Sequence, residues 1–296
     1  MSEYRYITTE KLDGGRIARI TMNRPDVRNA QNIGMLKELN DAFLRAESDK
    51  DARVIILAGA GPLFSSGHDV GEQGQKDYDE YAAGSSRVGT ELRTMREWEF
   101  FFSYTLRWRD LRKVTISQVQ GGCVGAGLML AWCCDLIVAS DDAYFADVVG
   151  VRLGMCGVEY FAHPWEFGPR KTKELLLTGD SIDADEAYRL GMVSKVFPRD
   201  VLEEETVNFA RRIAKLPTAT TLFIKESVNE AQENQGFINS LKATFSIHQM
   251  NHAHWAEVTG GKTIRGTPEH GISEKWEKIR PAEKSSSGYV RPEGRA

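Results

Sequence analysis

Apolar and polar positions along the first part of the chain follow the periods of strands and helices. The segment "RIARITMNRPD" is apolar at Ile17, Ala18, Ile20 and Met22 and ends at a proline, which is typical of a strand. The segment "NIGMLKELNDAFLRAESD" spaces its apolar residues as a helix does, and "ARVIILAGAG" is a short apolar run closed by glycines, as in a buried strand. A helix between two such strands predicts a βαβ unit and thus an α/β fold.

The rest of the chain continues this alternation and then becomes helical. The polar, glycine-punctuated residues 71–88 predict a mobile loop or lid. A long helix is expected in "TELRTMREWEFFFSYTLRWRDLRK", and strands in "VTISQVQG" and "DLIVAS". Next, "RKTKELLLTGD" and "DADEAYRLGMVSKVF" predict a helix, a turn and a second helix that ends at Gly191, followed by a strand. Two amphipathic helices are then expected in "LEEETVNFARRIAKL" and "ATTLFIKESVNEAQENQG". The final "RPAEKSSSGYVRPEGRA" predicts a disordered tail.

Composition narrows the class of protein. The chain has 296 residues, 41% hydrophobic and 27% charged, which is ordinary for a globular protein. A net charge of −4 gives no basic field to attract nucleic acid or an anionic membrane. The opening residues lack a signal-peptide pattern, and no segment approaches the roughly 18 apolar residues of a membrane span. The four cysteines lie in apolar or glycine-rich settings, so we expect reduced thiols in a cytoplasmic protein.

Two glycine turns follow predicted strands. "GPLFSSGHDVGEQ" places Ser66, Gly67 and His68 at a strand's C-terminal edge, where open α/β folds bind ligands. "QGGCVGAGLML" likewise follows a strand and opens a helix. Each turn alone is weak evidence, but together they can aim two backbone N–H groups at one point, the geometry of an oxyanion hole.

The same stretches in their order along the chain resemble the enoyl-CoA hydratase/isomerase, or crotonase, superfamily. The resemblance rests on "NRPDVRNA", "FSSGHD", "QGGCVGAGLMLAWCCDLIVAS" and "LLLTGDSIDADEAYRLGMVSKV", and it covers roughly residues 5–230. It implies a spiral of ββα repeats, a C-terminal helical region used for trimer assembly, and acyl-CoA thioester substrates. It also implies an enolate intermediate stabilised by two backbone amides.

The resemblance also implies roles for particular residues. The two oxyanion amides are those of His68 and of Ala126, which stands where the family usually has glycine. The His68 side chain need only line the pocket. Arg28 matches the position that approaches the CoA phosphates, although a surface arginine would look the same. The other expected substrate-binding positions are Ser66, Asp69, Val70, Gly71, Gly125, Met129 and Val149.

The sequence departs from the family at both catalytic glutamates. Hydratases carry one glutamate at the end of the second glycine turn and another about twenty residues later. Here the register gives Met129 and Val149 at these positions. Neither side chain can transfer a proton or orient a water molecule. Water addition by the usual glutamate pair is therefore unsupported, although the turn can still hold a thioester carbonyl.

Two nearby carboxylates are candidate replacements. Asp147 lies two residues before Val149, on the same strand face if that segment is extended, and Glu159 follows a glycine turn at an expected helix start. A carboxylate buried against an acyl pocket would have a raised pKa and could act as acid or base. The structural alternatives are that Asp147 caps a turn and that Glu159 caps a helix or pairs with Arg170 or Lys171. Tyr160 is a further possible proton donor.

The C-terminal region adds two clusters without an assigned chemistry. In "HQMNHAHW", His248 and His252 lie one helical turn apart, and His254 follows. Glutamine stands after the first histidine where a zinc protease needs glutamate, so we expect solvated or interface histidines and no metal site. Phe237, Leu241 and Phe245, spaced by four residues, are interpreted as subunit packing.

These observations define the expected organisation and function. Residues 1–205 form the crotonase-like core, 206–280 a helical oligomerisation region, and 281–296 the tail. The expected assembly is a homotrimer or a dimer of trimers, with no cofactor beyond the coenzyme A of the substrate and no nucleic-acid or membrane partner. We expect variant lyase or isomerase chemistry on an acyl-CoA. The alternatives are an acyl-CoA or C–C bond hydrolase and a catalytically silent CoA-ester-binding protein.

Overall fold

A computed structural model describes residues 4–259, which form two β-sheets surrounded by helices. The strands of this part of the chain are β1 (Ile7–Leu12), β2 (Ile17–Met22), β3 (Val54–Gly59), β4 (Val114–Val119), β5 (Gly122–Val124), β6 (Leu136–Ser140), β7 (Tyr144–Ala146), β8 (Ser181–Asp183) and β9 (Lys195–Phe197). The larger sheet has the order β1-β2-β3-β4-β6-β9, and the smaller one β5-β7-β8. Beyond the antiparallel β1–β2 hairpin, all pairs in the larger sheet are parallel. This is the α/β architecture that the sequence predicts.

Helices connect these strands and cover the sheets. They are α1 (Ile33–Ser48), α2 (Glu72–Ala83), α3 (Gly89–Glu97), α4 (Ser103–Arg109), α5 (Ala126–Trp132), α6 (Val149–Leu153), α7 (His163–Phe167), α8 (Pro169–Thr178), α9 (Ala184–Leu190), α10 (Leu202–Ala214), α11 (Thr218–Asn234) and α12 (Phe237–Thr259). The second helix of the predicted helix–turn–helix, α9, ends before Gly191, which adopts the left-handed conformation that glycine tolerates. Within the described residues, no helix is long and apolar enough to cross a membrane.

The central strand β3 is buried at all six positions, as expected for a parallel strand covered on both faces. Ile55 and Leu57 belong to the main core, and Val54 and Ile56 belong to a second core on the other face. Helix α10 closes that second core with apolar side chains that include Leu202 and Ala210. The expected boundary at residue 205 lies inside this helix, so α10 is part of the α/β core.

Residues 71–88 are largely helical, and the prediction of a loop is wrong for Glu72–Ala83. This segment contains no proline, and its Glu, Gln, Lys and Ala residues favour a helix. The sequence expectation gave too much weight to Gly74. A Cβ atom there would lie 1.6 Å from the carbonyl oxygen of Asp69, so this glycine allows a helix turn to approach the preceding chain closely.

The predicted long helix is α3 and α4 joined by a π-helical turn, Trp98–Phe102. Such turns rotate the side chains that follow them and are frequent at functional sites. Here the turn directs three consecutive aromatic residues, Phe100, Phe101 and Phe102, into the core. The ring of Phe101 reaches the candidate site described below.

The aromatic stripe of α12 packs within its own chain, and its interpretation as subunit packing is wrong. Phe237, Leu241 and Phe245 are all buried. The ring centroid of Phe245 lies 4.9 Å from that of Phe102, so the stripe fastens α12 onto the π-helical turn. The apolar residues that α11 leaves exposed are different ones, namely Phe223, Ile224 and Val228.

The cysteines are free thiols, and the tail is outside the described residues. Cys123, Cys133 and Cys134 are buried, and Cys156 is half-buried. Burial raises the pKa of the Cys123 thiol well above its usual value, which keeps it protonated. The predicted disordered tail, and the last residues of the expected oligomerisation region, lie beyond residue 259.

Candidate active site

The first glycine turn follows β3 and is held by the buried side chain of Asn29. The amide nitrogen of Asn29 donates to three backbone carbonyls, those of Ala60, Leu63 and Phe64. Gly67 then takes φ +93°, and its carbonyl accepts a hydrogen bond from the N–H of Gln31. The turn is therefore fixed on both sides, and His68 follows it in a defined position.

The second glycine turn opens α5. Gly125 has φ +54°, and its N–H donates to the carbonyl of Ala146 in β7. Ala126 is the first residue of the helix, where backbone N–H groups have no partner inside the helix. The two turns touch, because a Cβ atom at Gly67 would lie 3.0 Å from the nitrogen of Ala126.

The backbone amides of His68 and Ala126 remain available at this contact. Neither N–H donates a backbone hydrogen bond to any residue in the described part of the chain. Both residues are held by their neighbours, since Asp69 donates its N–H to Gln31 and Gly125 is bonded to β7. Two fixed, unpaired donors next to each other can bind a carbonyl or enolate oxygen.

Met129 and Val149 lie in an apolar environment. All seven residues of α5 are buried, and Met129 is 2% exposed. Val149 begins α6, and its Cγ2 atom lies 3.8 Å from the position of a Cβ atom at Gly125. A helix that is apolar on all sides belongs in the core, which explains why the segment after the glycine turn carries no charge.

Glu159 is brought to His68 from a distant part of the chain. Its Oε2 atom lies 3.1 Å from Nε2 of His68, and the residue is 4% exposed. The His68 ring is stacked on Phe101 with centroids 3.7 Å apart. Glu159 does not begin a helix, because the next helix starts at His163. It also does not pair with Arg170 or Lys171, since Lys171 binds Glu174 and Glu186.

The expected raised pKa of a buried acid is wrong for Glu159. Burial opposes ionisation, but the charges and hydrogen bond of His68 and His248 outweigh it and hold the pKa of Glu159 below its usual value. The group is therefore a carboxylate at neutral pH. A carboxylate can accept a proton from a substrate but cannot donate one until it has been protonated.

Asp147 does not lie on an extended strand, contrary to the geometry expected for it. Strand β7 ends at Ala146, and the Asp147 carboxylate turns back to the chain. It accepts hydrogen bonds from the N–H groups of Val149 and Val158, each 3.0 Å away, and Oδ2 lies 2.9 Å from Nε2 of the buried His163. These partners hold the pKa of Asp147 below its usual value despite burial. The residue thus fixes the segment that carries Glu159.

His248 and His252 are not solvated, which corrects the sequence expectation. They are 3% and 9% exposed, whereas the third histidine of this helix, His254, is exposed. The Nε2 atoms of His248 and His252 lie 3.6 and 3.3 Å from the two carboxylate oxygens of Glu97. His248 Nε2 also lies 3.8 Å from Oε1 of Glu159, so this cluster adjoins the His68–Glu159 pair.

The residues expected to approach coenzyme A surround the first turn. Arg28 is exposed in a left-handed conformation, and its carbonyl accepts the N–H of Ser66. Asp69 forms a 2.8 Å ion pair with Arg24. Val70 is 47% exposed, and Gly71 is the N-cap residue of α2. An exposed cation and an exposed apolar side chain thus lie on either side of the turn.

Tyr160 is buried without a hydrogen-bond partner. Its side chain is fully enclosed, and its hydroxyl finds no partner in residues 4–259. Burial raises the pKa of Tyr160 well above its usual value. Its ring packs edge-on against Phe237, which suits a core residue.

Comparison with known proteins identifies the family. The model of the enoyl-CoA hydratase/isomerase family matches residues 13–263. The chain belongs to this family. Its sheet order, its two adjoining glycine turns and its C-terminal helices are thus the crotonase fold that the sequence motifs predict.

Similar proteins include several mycobacterial ones. The chain is 59% identical over 292 residues to EchA13 of Mycobacterium tuberculosis, a protein named as an enoyl-CoA hydratase. The match covers 95% of this chain and 92% of that protein. A crystal structure of a probable enoyl-CoA hydratase from Mycobacterium smegmatis matches with a TM-score of 0.79 and 42% identity, covering 86% of this chain and 98% of that one. A probable enoyl-CoA hydratase from Mycobacterium thermoresistibile matches with a TM-score of 0.78 at the same identity and coverage.

Sequence reasoning placed Glu159 and His68 at the site separately but did not pair them. It missed Glu97 entirely, because a lone acid in a helix gives no signal. For His248 and His252 a signal was present in their spacing of four residues, which places both on one face of a helix. The missing information was which element that face contacts.

Proposed function

We propose that this chain is an acyl-CoA-processing enzyme of the hydratase/isomerase type, in which the His68–Glu159 pair replaces the family's glutamates as the proton-transfer group. One observation carries this proposal. A buried, ionised glutamate lies 3.1 Å from a histidine whose own backbone N–H is unpaired at the contact of the two glycine turns. The names of the relatives, which refer to enoyl-CoA hydratases, support the substrate class.

In this proposal the amides of His68 and Ala126 form the oxyanion hole. They hold the thioester oxygen, and Ser66 and Gly125 shape the turns on either side. Removal of one such donor from an enzyme typically lowers kcat by about 10²–10³. Alanine at position 126 serves as well as glycine, because the N–H and not the side chain binds the oxygen, and the residue starts a regular helix.

The remaining substrate contacts follow from exposure and polarity. Arg28 is exposed beside the first turn, where a guanidinium can bind the CoA phosphates. Asp69, Val70 and Gly71 line the cleft for the adenine and pantetheine. Met129 and Val149 form an apolar wall for the acyl group. None of these contacts requires a cofactor apart from the coenzyme A of the substrate.

The chemistry follows from the charge of Glu159. The carboxylate, acting with His68, removes a proton from the carbon next to the thioester. The electron pair of that C–H bond forms a double bond to the carbonyl carbon, and the carbonyl π pair moves onto the oxygen. The enolate oxygen is stabilised by the two amides. With a β,γ-unsaturated ester, the extended enolate takes the proton back from Glu159 at the γ-carbon, which is isomerisation. With a leaving group on the β-carbon, the enolate expels that group with its bonding electron pair, and Glu159 returns the proton to it, which is a lyase reaction.

The buried pair favours an enzyme over a silent binding protein. Keeping the Glu159 carboxylate ionised while buried costs several kcal/mol unless good partners offset it, so an ionised buried glutamate beside a ligand site is typical of catalytic machinery. An acyl-CoA or C–C bond hydrolase uses the same oxyanion hole and stays the alternative enzyme class. The assembly we propose is a homotrimer or a dimer of trimers in the cytoplasm.

Turnover of a panel of enoyl-CoA and acyl-CoA esters tests this function. The wild-type chain should convert at least one ester, and Glu159→Gln should bind that ester with near wild-type affinity but convert it about 10²–10⁴ times more slowly. Tight binding of esters without conversion of any would favour the silent binder. Release of free coenzyme A would favour the hydrolase.

A further inference from the structure

A group of three buried side chains joins two helices next to the candidate active site. Glu97 ends α3, and His248 and His252 lie one turn apart on α12. One carboxylate oxygen or ring nitrogen from each residue lies within 4.8 Å of the other two. We propose that these residues bind one divalent transition-metal ion, with Zn²⁺ the ion whose ligand preference they match best. Two histidines and one glutamate are a recurrent set of protein ligands for zinc.

The distances between the ligand atoms fit a tetrahedral metal ion. Bonds from Zn²⁺ to histidine nitrogen and carboxylate oxygen are about 2.0–2.1 Å, which places neighbouring ligand atoms about 3.3 Å apart in a tetrahedron. The two nitrogen–oxygen separations here are 3.3 and 3.6 Å. Each of these two separations involves a different oxygen of Glu97, so the carboxylate can turn one or both oxygens towards an ion. All three ligand atoms lie within 4.8 Å of one another, so small side-chain rotations can close them around the ion.

The tautomer of His248 is the one that a metal ligand requires. Its Nδ1 atom lies 2.8 Å from the carbonyl oxygen of Gly157, which can only accept, so Nδ1 carries the proton. A metal ion displaces any proton from Nε2, and the ring then offers its lone pair on that atom, which faces Glu97 and His252. This Nε2 atom is buried and makes no hydrogen bond to any residue of the described range. Metal-binding histidines are commonly held by a backbone carbonyl in this way.

The carboxylate of Glu97 is held in position by a polar chain of its own. Gln249 donates a 2.6 Å hydrogen bond to Oε2 of Glu97, and Thr94 donates a 3.0 Å bond to Gln249. Gln249 is itself buried. Such outer hydrogen bonds fix the orientation of a metal-binding carboxylate and typically change metal affinity 10–100-fold.

The charges around the cluster favour a cation. Glu97 and Glu159 place two buried carboxylates on either side of His248. These carboxylates lie 3.6 and 3.8 Å from the Nε2 atom of His248, and their field attracts a cation. Arg96 is the opposing charge on α3, and its guanidinium lies over the rings of Tyr78 and Phe101.

This inference does not depend on the proposed function. The three ligands are distinct from the His68–Glu159 pair, and metal binding can be measured without any CoA ester. The sequence expectation that these histidines bind no metal rested on the missing glutamate of the zinc-protease motif. That motif takes its ligands from one helix, whereas here the carboxylate comes from a second helix.

Titration of the metal-free full-length chain tests the site. After dialysis against a chelator, calorimetric titration with Zn²⁺ should show one ion bound per chain, and Co²⁺ should give the visible absorption of a tetrahedral complex. His252→Ala and Glu97→Gln should each weaken Zn²⁺ binding at least 100-fold. The matched control is His254→Ala, which removes an exposed histidine of the same helix and should leave affinity unchanged. No stoichiometric binding, or equal binding by all variants, would overturn the proposal.

X-ray absorption at the zinc edge examines the ligands in the wild-type chain itself. It therefore tests the site even if the variants fail to fold. It should show nitrogen and oxygen ligands at about 2.0–2.1 Å, the multiple scattering of two imidazoles, and no sulfur. Cys156, whose thiol neighbours His248, is the sulfur atom that could bind instead. A sulfur ligand at about 2.3 Å, or a single imidazole, would reject the ligand set.

Discussion

The Nε2 atom of His68 lies 3.1 Å from the Oε2 atom of Glu159, although 91 positions separate the two residues in the sequence. His68 follows the glycine turn after β3, and Glu159 lies in the segment between α6 and α7. Met129 and Val149, which the sequence resemblance aligns with the family's glutamates, are apolar. We therefore propose this pair as the acid–base group in their place.

The contact between the two glycine turns predicts a strong effect of Gly67→Ala. The new Cβ atom would lie 2.9 Å from the carbonyl oxygen of Val124 and 3.0 Å from the nitrogen of Ala126, at a φ of +93°. The two turns must then move apart, which displaces one amide of the proposed oxyanion hole. We therefore expect kcat to fall by about 10²–10³, the usual loss when one oxyanion donor is removed.

The matched control for this prediction is Gly14→Ala. Gly14 also has a positive φ, +64°, but no atom lies within 4 Å of its Cβ position. Gly14→Ala should therefore cost some folding stability but leave kcat unchanged in steady-state kinetics. Equal losses of kcat in both variants would show that backbone strain, and not the position of the amide, is responsible.

The buried pair of Asp147 and His163 predicts a pH-dependent stability. The folded-state pKa of Asp147 lies below its unfolded value near 3.8, so its contribution is present above that value and is lost as pH falls through the folded pKa. Asp147→Asn should cost about 1.5–3 kcal/mol at pH 7, the usual contribution of hydrogen bonds to a charged group. Urea denaturation between pH 7 and pH 3 should show a smaller acid-induced loss in the variant.

The exposed residue Asp26 gives the control for this stability prediction, since Asp26→Asn should leave the urea midpoint unchanged. The activity of folded Asp147→Asn separates two roles. A turnover number near wild type agrees with a residue that fixes the Glu159 segment. A fall of 10²–10⁴ in a variant of normal stability would move the proton-transfer role to Asp147.

Met129→Glu should not restore a hydratase. Met129 is 2% exposed in an apolar helix, so burial would raise the pKa of a carboxyl group there. The group would remain neutral at pH 7 and could not act as a base. The melting temperature should fall markedly, whereas Met129→Leu should cost less than about 1.5 kcal/mol because the volume is conserved. New hydration of enoyl-CoA by the glutamate variant would contradict this reading of the pocket.

Much of the fold can be predicted from the sequence because it depends on local periodicity. The apolar run of β3 and the helical spacing of α1 each specify their element without knowledge of the rest of the chain. The failures have tertiary causes. Gly74 looks like a loop signal but permits a close approach, and Phe237 and Phe245 look like an interface but meet aromatic residues of the same chain.

The site was predictable only in part for the same reason. The glycine turns have a sequence signature, because only glycine readily takes the positive φ found at Gly67 and Gly125. The pairing of His68 with Glu159, and of Glu97 with His248, depends on how distant elements meet. No local pattern carries that information.

The exposed apolar face of α11 predicts self-association. Phe223, Ile224 and Val228 are 63%, 55% and 57% exposed in the single chain, which is unusual for a group of large apolar residues. Sedimentation at micromolar concentration should show a species of three or six chains, and Ile224→Asp should shift it towards the monomer. Val88→Asp, at an exposed N-cap, is the control. A wild-type protein sedimenting only at 33.2 kDa would contradict a trimer.

Exchange of hydrogen at the carbon next to the thioester tests the central claim most directly. The wild-type chain is incubated with saturated acyl-CoA esters in deuterium oxide, and deuterium in the acyl group is followed by mass spectrometry. The account predicts enzyme-dependent exchange in the wild type and a loss of about 10²–10⁴-fold in Glu159→Gln, with ester affinity retained. Exchange at the wild-type rate in Glu159→Gln would contradict the assignment of the proton-transfer role to the His68–Glu159 pair.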